Sequence, residues 1–260
     1  MARAALAELP DRFLSEGKTS FTAVEAATAS GVRADRVYPG LKRLADRGLI
    51  FSPARGFYVP IPPEFRSWRS VPASHFIDPM MGHLGRRYYV GLLSAAELHG
   101  AAHQRPQSFQ VMVAKAFPGR RVGRITLDFF LTTRFESAST VRKGTPTGGL
   151  ILATPETTVL DLASRIRPGG GLDNVATVIT ELALEGLLDL TVLREVARRY
   201  PASAVRRVGW ILERFSSLDL GGGLGSGSVA PTQLDPDGGR RGPIDRRWQI
   251  IVNTVVQPDL

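Results

Sequence analysis

Cysteine is absent from the 260-residue chain. Disulfides, thiolate metal sites and cysteine nucleophiles are therefore excluded. No stretch approaches the ~20 apolar residues needed to span a bilayer. The N-terminus, Met1-Ala-Arg-Ala-Ala-Leu-Ala-Glu-Leu-Pro10, places an acid and a proline too early for a signal peptide. The expectation is a soluble, cytoplasmic protein with no membrane partner. Acidic residues are also missing between His99 and Leu127, where Arg105, Lys115, Arg120, Arg121 and Arg124 all occur. That run reads equally as a solvated face or as a second basic binding patch.

Charge and apolar residues are what the chain does have. Hydrophobic residues make up 43 %, enough for a sizeable core, and the formal net charge is +9. Such an excess attracts polyanions. The basic residues are mostly Arg, whose fork suits bidentate contacts to phosphate and guanine.

The pattern predicts an α+β fold: an N-terminal winged helix-turn-helix over residues 1–60, a linker over 61–75, and a larger mixed α/β domain over 76–260. Leu6, Leu9, Phe13 and Leu14 recur at helical spacing, and Gly17 ends that run. Thr22-Ala-Val-Glu25 is a capping-box sequence opening a second short helix. Val37, Leu41 and Leu44 give a third, closed by Gly48. Leu49-Ile-Phe51 and Phe57-Tyr-Val59 flank a turn carrying Arg55 and form a hairpin. With Val37, Leu41 and Leu44 facing inward, Arg33, Arg36, Tyr38, Lys42, Arg43 and Arg47 surround the rest of the third helix. One such helix fits a DNA major groove, and Arg55 stands where a wing reaches the minor groove or its phosphates. Pro39-Gly40 resists this reading. Either the helix is kinked there, or it begins near Pro39 and the base-reading set shrinks to Tyr38, Lys42 and Arg43.

In the second half, Ser94-Ala-Ala-Glu97 reads as a capping box opening a helix toward His103. Strands are expected at 108–113, 124–131 and 150–153. Thr154-Pro155 opens a helix with Thr154 as its cap. Further helices are expected near 172–185, 191–199 and 202–216. Residues 219–243, rich in Gly, Pro, Ser and Asp, read as a flexible loop, with a final strand near 248–252.

Motifs that look chemical do not hold together. Gly17-Lys-Thr-Ser20 lacks the first glycine of a phosphate loop, since position 12 is Arg. His99 and His103 stand at i, i+4 but lack the intervening Glu of a metalloprotease and a third ligand. Gly225-Ser226 with Asp235 and Asp237 only superficially resembles a nucleotidyltransferase site. Asp128 on a strand suits a nuclease carboxylate, yet no Glu-x-Lys follows it. No catalytic residue, metal site or cofactor is expected.

Several segments nevertheless resemble one family. Leu44-Ala-Asp-Arg-Gly-Leu-Ile50 and Arg55-Gly-Phe-Tyr-Val59 are followed by Tyr88-Tyr-Val-Gly-Leu-Leu-Ser-Ala-Ala-Glu-Leu-His-Gly-Ala-Ala-His103. Gln107-Ser-Phe-Gln-Val-Met-Val113 and Thr154-Pro-Glu-Thr-Thr-Val-Leu-Asp-Leu162 continue the likeness. Together they resemble the AbiEi-type antitoxins. The resemblance implies a non-enzymatic transcriptional autorepressor that binds double-stranded DNA at inverted repeats in its own promoter. It also implies a C-terminal domain that counteracts a nucleotidyltransferase toxin from the same operon. A winged helix fused to a nuclease-like domain and a protein-interaction adaptor remain the alternatives.

Overall fold

The computed structural model describes residues 5–101, 106–216, 218, 220 and 230–260. His103 and Arg105 lie outside the described residues, as do Gly225 and Ser226. Among the described residues no helix is long and apolar enough to cross a membrane.

The chain opens with α1 (Leu9–Ser15), β1 (Phe21–Thr22), α2 (Ala23–Ser30) and α3 (Ala34–Asp46). The hairpin β2 (Ile50–Ala54) and β3 (Phe57–Pro60) follows, and β1 adds to it in the antiparallel order β1-β3-β2. The capping box forms as the sequence predicts. Thr22 Oγ1 accepts from the Glu25 amide at 3.2 Å, and Glu25 Oε2 accepts from the Thr22 amide at 2.7 Å. Leu9, Phe13, Phe21, Ala26, Val37, Leu41, Leu44 and Ile50 make a small core of their own.

The two alternatives for the third helix resolve against a start at Pro39. α3 begins at Ala34 with Arg33 at its N-cap, so Pro39 lies inside it. Proline leaves the Asp35 carbonyl without its helical partner. Both Asp35 and Pro39 are exposed, on a side of the helix where solvent can reach that carbonyl. Gly40 has a separate reason. A Cβ there would stand 1.9 Å from Leu6 Cδ2, so glycine lets the first turn of chain lie directly on α3.

The second half is built on a six-stranded mixed sheet, order β6-β7-β5-β4-β9-β8. Its strands are β4 (Tyr88–Val90), β5 (Phe109–Val113), β6 (Arg120–Val122), β7 (Ile125–Leu131), β8 (Thr140–Thr145) and β9 (Gly148–Ala153). Helices α4 (Ile77–His83), α5 (Leu92–His99), α6 (Pro155–Ser164), α7 (Leu172–Leu184), α8 (Leu190–Ala197) and α9 (Ala202–Phe215) complete it. α6 is capped by Thr154, whose hydroxyl accepts from the Thr157 amide, with Pro155 in the first turn.

α5 corrects the capping reading at Ser94. The helix starts at Leu92 with Gly91 as N-cap, and it ends at His99. The Ser94 hydroxyl, buried, accepts instead from the Gln110 amide at 2.9 Å, tying α5 to β5.

Residues 61–75 are packed chain. Ile61, Val71 and Ala73 are buried, and two short 3-10 turns span Pro63–Phe65 and Ala73–His75. In the 219–243 segment, 219 and 221–229 lie outside the described residues. Residues 230–243 do not behave as the free loop expected. Leu234 is fully buried, and β10 (Thr232–Gln233) pairs parallel with β12 (Ile250–Ile251). β11 (Ile244–Asp245) pairs antiparallel on the other side of β12. Arg207 fixes this small sheet to the core. Its buried guanidinium donates to the carbonyls of Gln233, Leu234 and Ala163 at 2.9 to 3.2 Å. Trp248 lies against Gly209 of α9, where a Cβ would meet the indole at 2.0 Å.

Candidate nucleic-acid interface

α3 sorts its residues by its 3.6-residue period. Val37, Leu41 and Leu44 are buried, whereas Arg36, Tyr38, Lys42, Arg43 and Arg47 are exposed. Arg36, Arg43 and Arg47 recur at i, i+7, i+11 and form one stripe along the helix. Among the described residues, none of these three makes an ion pair. The other cations are partly engaged. Arg33 pairs with Asp35 at 3.1 Å and Lys42 with Asp46 at 3.3 Å. Both pairs are well exposed, so each is worth under about 1 kcal/mol and yields to a phosphate. Tyr38 flanks the opposite side, 54 % exposed. Its phenol lies near Tyr58, whose own hydroxyl is pushed up first by burial and then by Tyr38.

The β2–β3 hairpin is held by the second half of the chain. Phe51, Ala54, Phe57 and Val59 belong to the large core. Phe51 meets Phe76 edge-on at 5.3 Å between centroids. The Arg55 carbonyl accepts from His83 Nε2 at 3.0 Å, and the Pro53 carbonyl accepts from Arg120 Nη1 at 2.7 Å. The Arg55 side chain stays exposed at the hairpin tip.

The second basic run divides in two. Arg120 is structural: besides its bond to Pro53, it stacks on Phe117 at 4.4 Å, with Arg86 near the same ring at 4.5 Å. Lys115, Arg121 and Arg124 are exposed. Because β6 lies against β2, Arg121 is presented beside the hairpin.

The remaining chemical motifs have structural roles. His99 Nε2 bonds the Ala153 carbonyl at 2.7 Å, and burial holds its imidazole below the usual histidine range. Asp128 faces Gln110 in the β5–β7 register. Asp235 Oδ1 accepts from the Asp237 amide, while Asp237 pairs with Arg167. Among the described residues no group of three His, Asp or Glu is placed to hold a metal.

One buried polar cluster has no signature in the sequence. Asp161 of α6 accepts from the Tyr89 hydroxyl at 3.0 Å and from the Tyr200 hydroxyl at 2.9 Å. Burial raises its carboxyl to about 6, against the two hydroxyl bonds and the nearby Arg165 and Arg134. Burial first, then the Asp161 charge, pushes both phenols up. Asp161 belongs to the Thr154–Leu162 motif, but its tyrosine partners are 72 and 39 residues away.

A basic helical unit docked on a mixed-sheet domain defines the class: a two-part α+β protein. Residues 89–214 match the family model of the AbiEi antitoxin C-terminal domain. An antitoxin role in a toxin–antitoxin system follows from that domain. The fold is similar to that of the RV2827C protein from Mycobacterium tuberculosis, in its crystal structure. The TM-score is 0.69 at 14 % identity, with 96 % of this chain and 92 % of that one covered. At that identity the likeness carries the two-unit fold alone. No curated protein matches the chain.

Proposed function

We propose that this antitoxin is also a DNA-binding autorepressor, and that it counteracts a nucleotidyltransferase-type toxin encoded in the same operon. Residues 1–60 act as a winged helix-turn-helix, 61–75 as the connection and 76–260 as the antitoxin domain. The observation that supports DNA binding is the uncommitted stripe Arg36–Arg43–Arg47 on α3. The adjoining face of the helix is anchored by the buried Val37, Leu41 and Leu44.

α3 enters the major groove of duplex DNA, with Arg36, Tyr38, Lys42 and Arg43 at base edges and Arg33 and Arg47 on phosphates. Arg55 reaches the adjacent minor groove from the hairpin tip. Lys115 and Arg121, the latter set beside the hairpin, extend the contact along the backbone. The hairpin is pinned to the antitoxin domain, so binding by α3 fixes how the second half sits on DNA. The chain itself supplies no catalysis in this scheme and works in the cytoplasm.

Footprinting on the DNA upstream of its own gene tests the proposal. Protection of an inverted repeat, weakened by raised salt, is the expected result. The absence of any protected repeat at low salt would sink it. Whether the neighbouring gene encodes a nucleotidyltransferase-like protein tests the toxin half.

A further inference from the structure

A groove lies where the 61–75 segment meets the sheet. It encloses about 540 Å³, in the size range of small-molecule sites. Leu98, Phe109 and Ile125 give it an apolar floor. Among the described residues its charged lining side chains are Glu97 from α5 and Arg124 from the β6–β7 turn. Trp68 lines it as well.

Trp68 is the feature that asks for a ligand. The chain has three tryptophans. Trp210 and Trp248 are 4 % and 2 % exposed, whereas Trp68 is 46 % exposed. Leaving an indole in water forfeits the burial free energy that the other two recover. Its position is also built. The next residue, Arg69, is held in left-handed backbone at φ 54, a conformation a non-glycine residue adopts only when its surroundings fix it. Ser70 behind it is buried and bonds the Trp68 carbonyl at 3.3 Å. Phe65 supports the indole edge-on at 5.9 Å.

Arg124 lines the groove together with Trp68, while the Arg69 side chain lies over Gly48 at the end of α3. Neither Arg69 nor Arg124 makes an ion pair among the described residues. An exposed indole stacks a flat heteroaromatic ring, and a guanidinium binds phosphate. The two together match a nucleobase joined to a phosphate.

We propose that the Trp68–Arg124 groove binds a nucleotide, its base stacked on Trp68 and its phosphate on Arg124. A free mononucleotide and an unpaired residue of a single strand present the same chemistry. The site is separate from α3, and duplex binding does not depend on it.

The test is calorimetric titration of the full chain with AMP, GMP, CMP and UMP, and with a short single-stranded oligothymidylate. Intrinsic fluorescence provides a second readout, since Trp68 is the exposed indole. Saturable binding by a mononucleotide marks a free-nucleotide site. Saturable binding by the oligothymidylate alone marks a strand site. In either case Trp68→Ala should weaken binding about ten-fold or more, and Trp68→Phe should restore most of it. Arg124→Ala, on an exposed turn, should weaken AMP but leave adenosine unchanged. A double substitution, Arg43→Ala with Arg47→Ala, should leave all of this intact, which separates the groove from duplex binding. The proposal is overturned if none of the probes saturates at millimolar concentration. It is equally overturned if Trp68→Ala and Arg124→Ala leave the affinity unchanged.

Discussion

Replacing Asp161 by Asn should turn a pH-dependent core into a pH-independent one. Asp161 is buried, and its carboxyl in the folded chain rises from 3.8 to about 6, chiefly through desolvation. In the unfolded chain it returns to an ordinary carboxylate. Between those two values the folded state holds a proton that the unfolded state has lost. The stability contributed by the protonated carboxyl is therefore fully present below 3.8 and disappears as pH rises through about 6. The rise corresponds to about 3 kcal/mol. Asn keeps a carbonyl for one tyrosine hydroxyl, and its amide faces the other, which rotates to accept. The stability difference between D161N and the wild type should therefore move in the variant's favour by about 2.5 kcal/mol from about pH 4 to about pH 7.5. Urea unfolding of both proteins across that range measures it. His99 and every other titrating group cancel in the difference. A gap that stays constant with pH would refute the desolvation argument, as would one that moves against the variant.

Three further substitutions probe the joints of the fold. Gly209→Ala drives a Cβ into the Trp248 indole and should cost about 1–3 kcal/mol by overpacking, offset by up to about 1 of helix propensity. A melting temperature at or above wild type would show that α9 and Trp248 are not in contact. Arg207→Lys replaces a fork serving three carbonyls by a single ammonium and should cost about 2 kcal/mol or more, read by denaturant unfolding. Equal stability would mean that the β10–β12 sheet is held by other contacts. Arg120→Ala removes the bond to the Pro53 carbonyl, so hydrogen exchange at the β2 and β3 amides should accelerate while the β4 and β5 amides stay protected. Unchanged hairpin exchange would show that Arg120 does not pin it.

Where a segment's pattern is set by its own neighbours, the sequence already carries the answer. The Thr22–Glu25 box, the Thr154 cap and the apolar periods of α7 and α9 are all local. β4 is silent because Tyr88–Val90 is buried on both faces, which erases the alternation of a half-buried strand. β6 and β8 are silent because they are the edge strands of the sheet and carry Arg120, Arg121, Arg142 and Lys143. Ser94 misleads because its hydroxyl has a better partner in the Gln110 amide than any group of its own helix. Arg120 reads as part of a binding patch because charge in sequence does not reveal a carbonyl 67 residues away. The α3 surface is the most legible part of the candidate interface. Val37, Leu41 and Leu44 announce which face is buried, and the arginines are what remains.

The central claim, that the Arg36–Arg43–Arg47 stripe holds duplex DNA, is tested most directly by the salt dependence of binding to the upstream DNA. Wild type and the Arg43→Ala, Arg47→Ala double variant would be compared by fluorescence anisotropy across a range of salt. The account predicts weaker binding by the variant and a log–log slope shallower by about one for each phosphate that an arginine no longer neutralises. Equal affinity and an identical slope for the two proteins would contradict it.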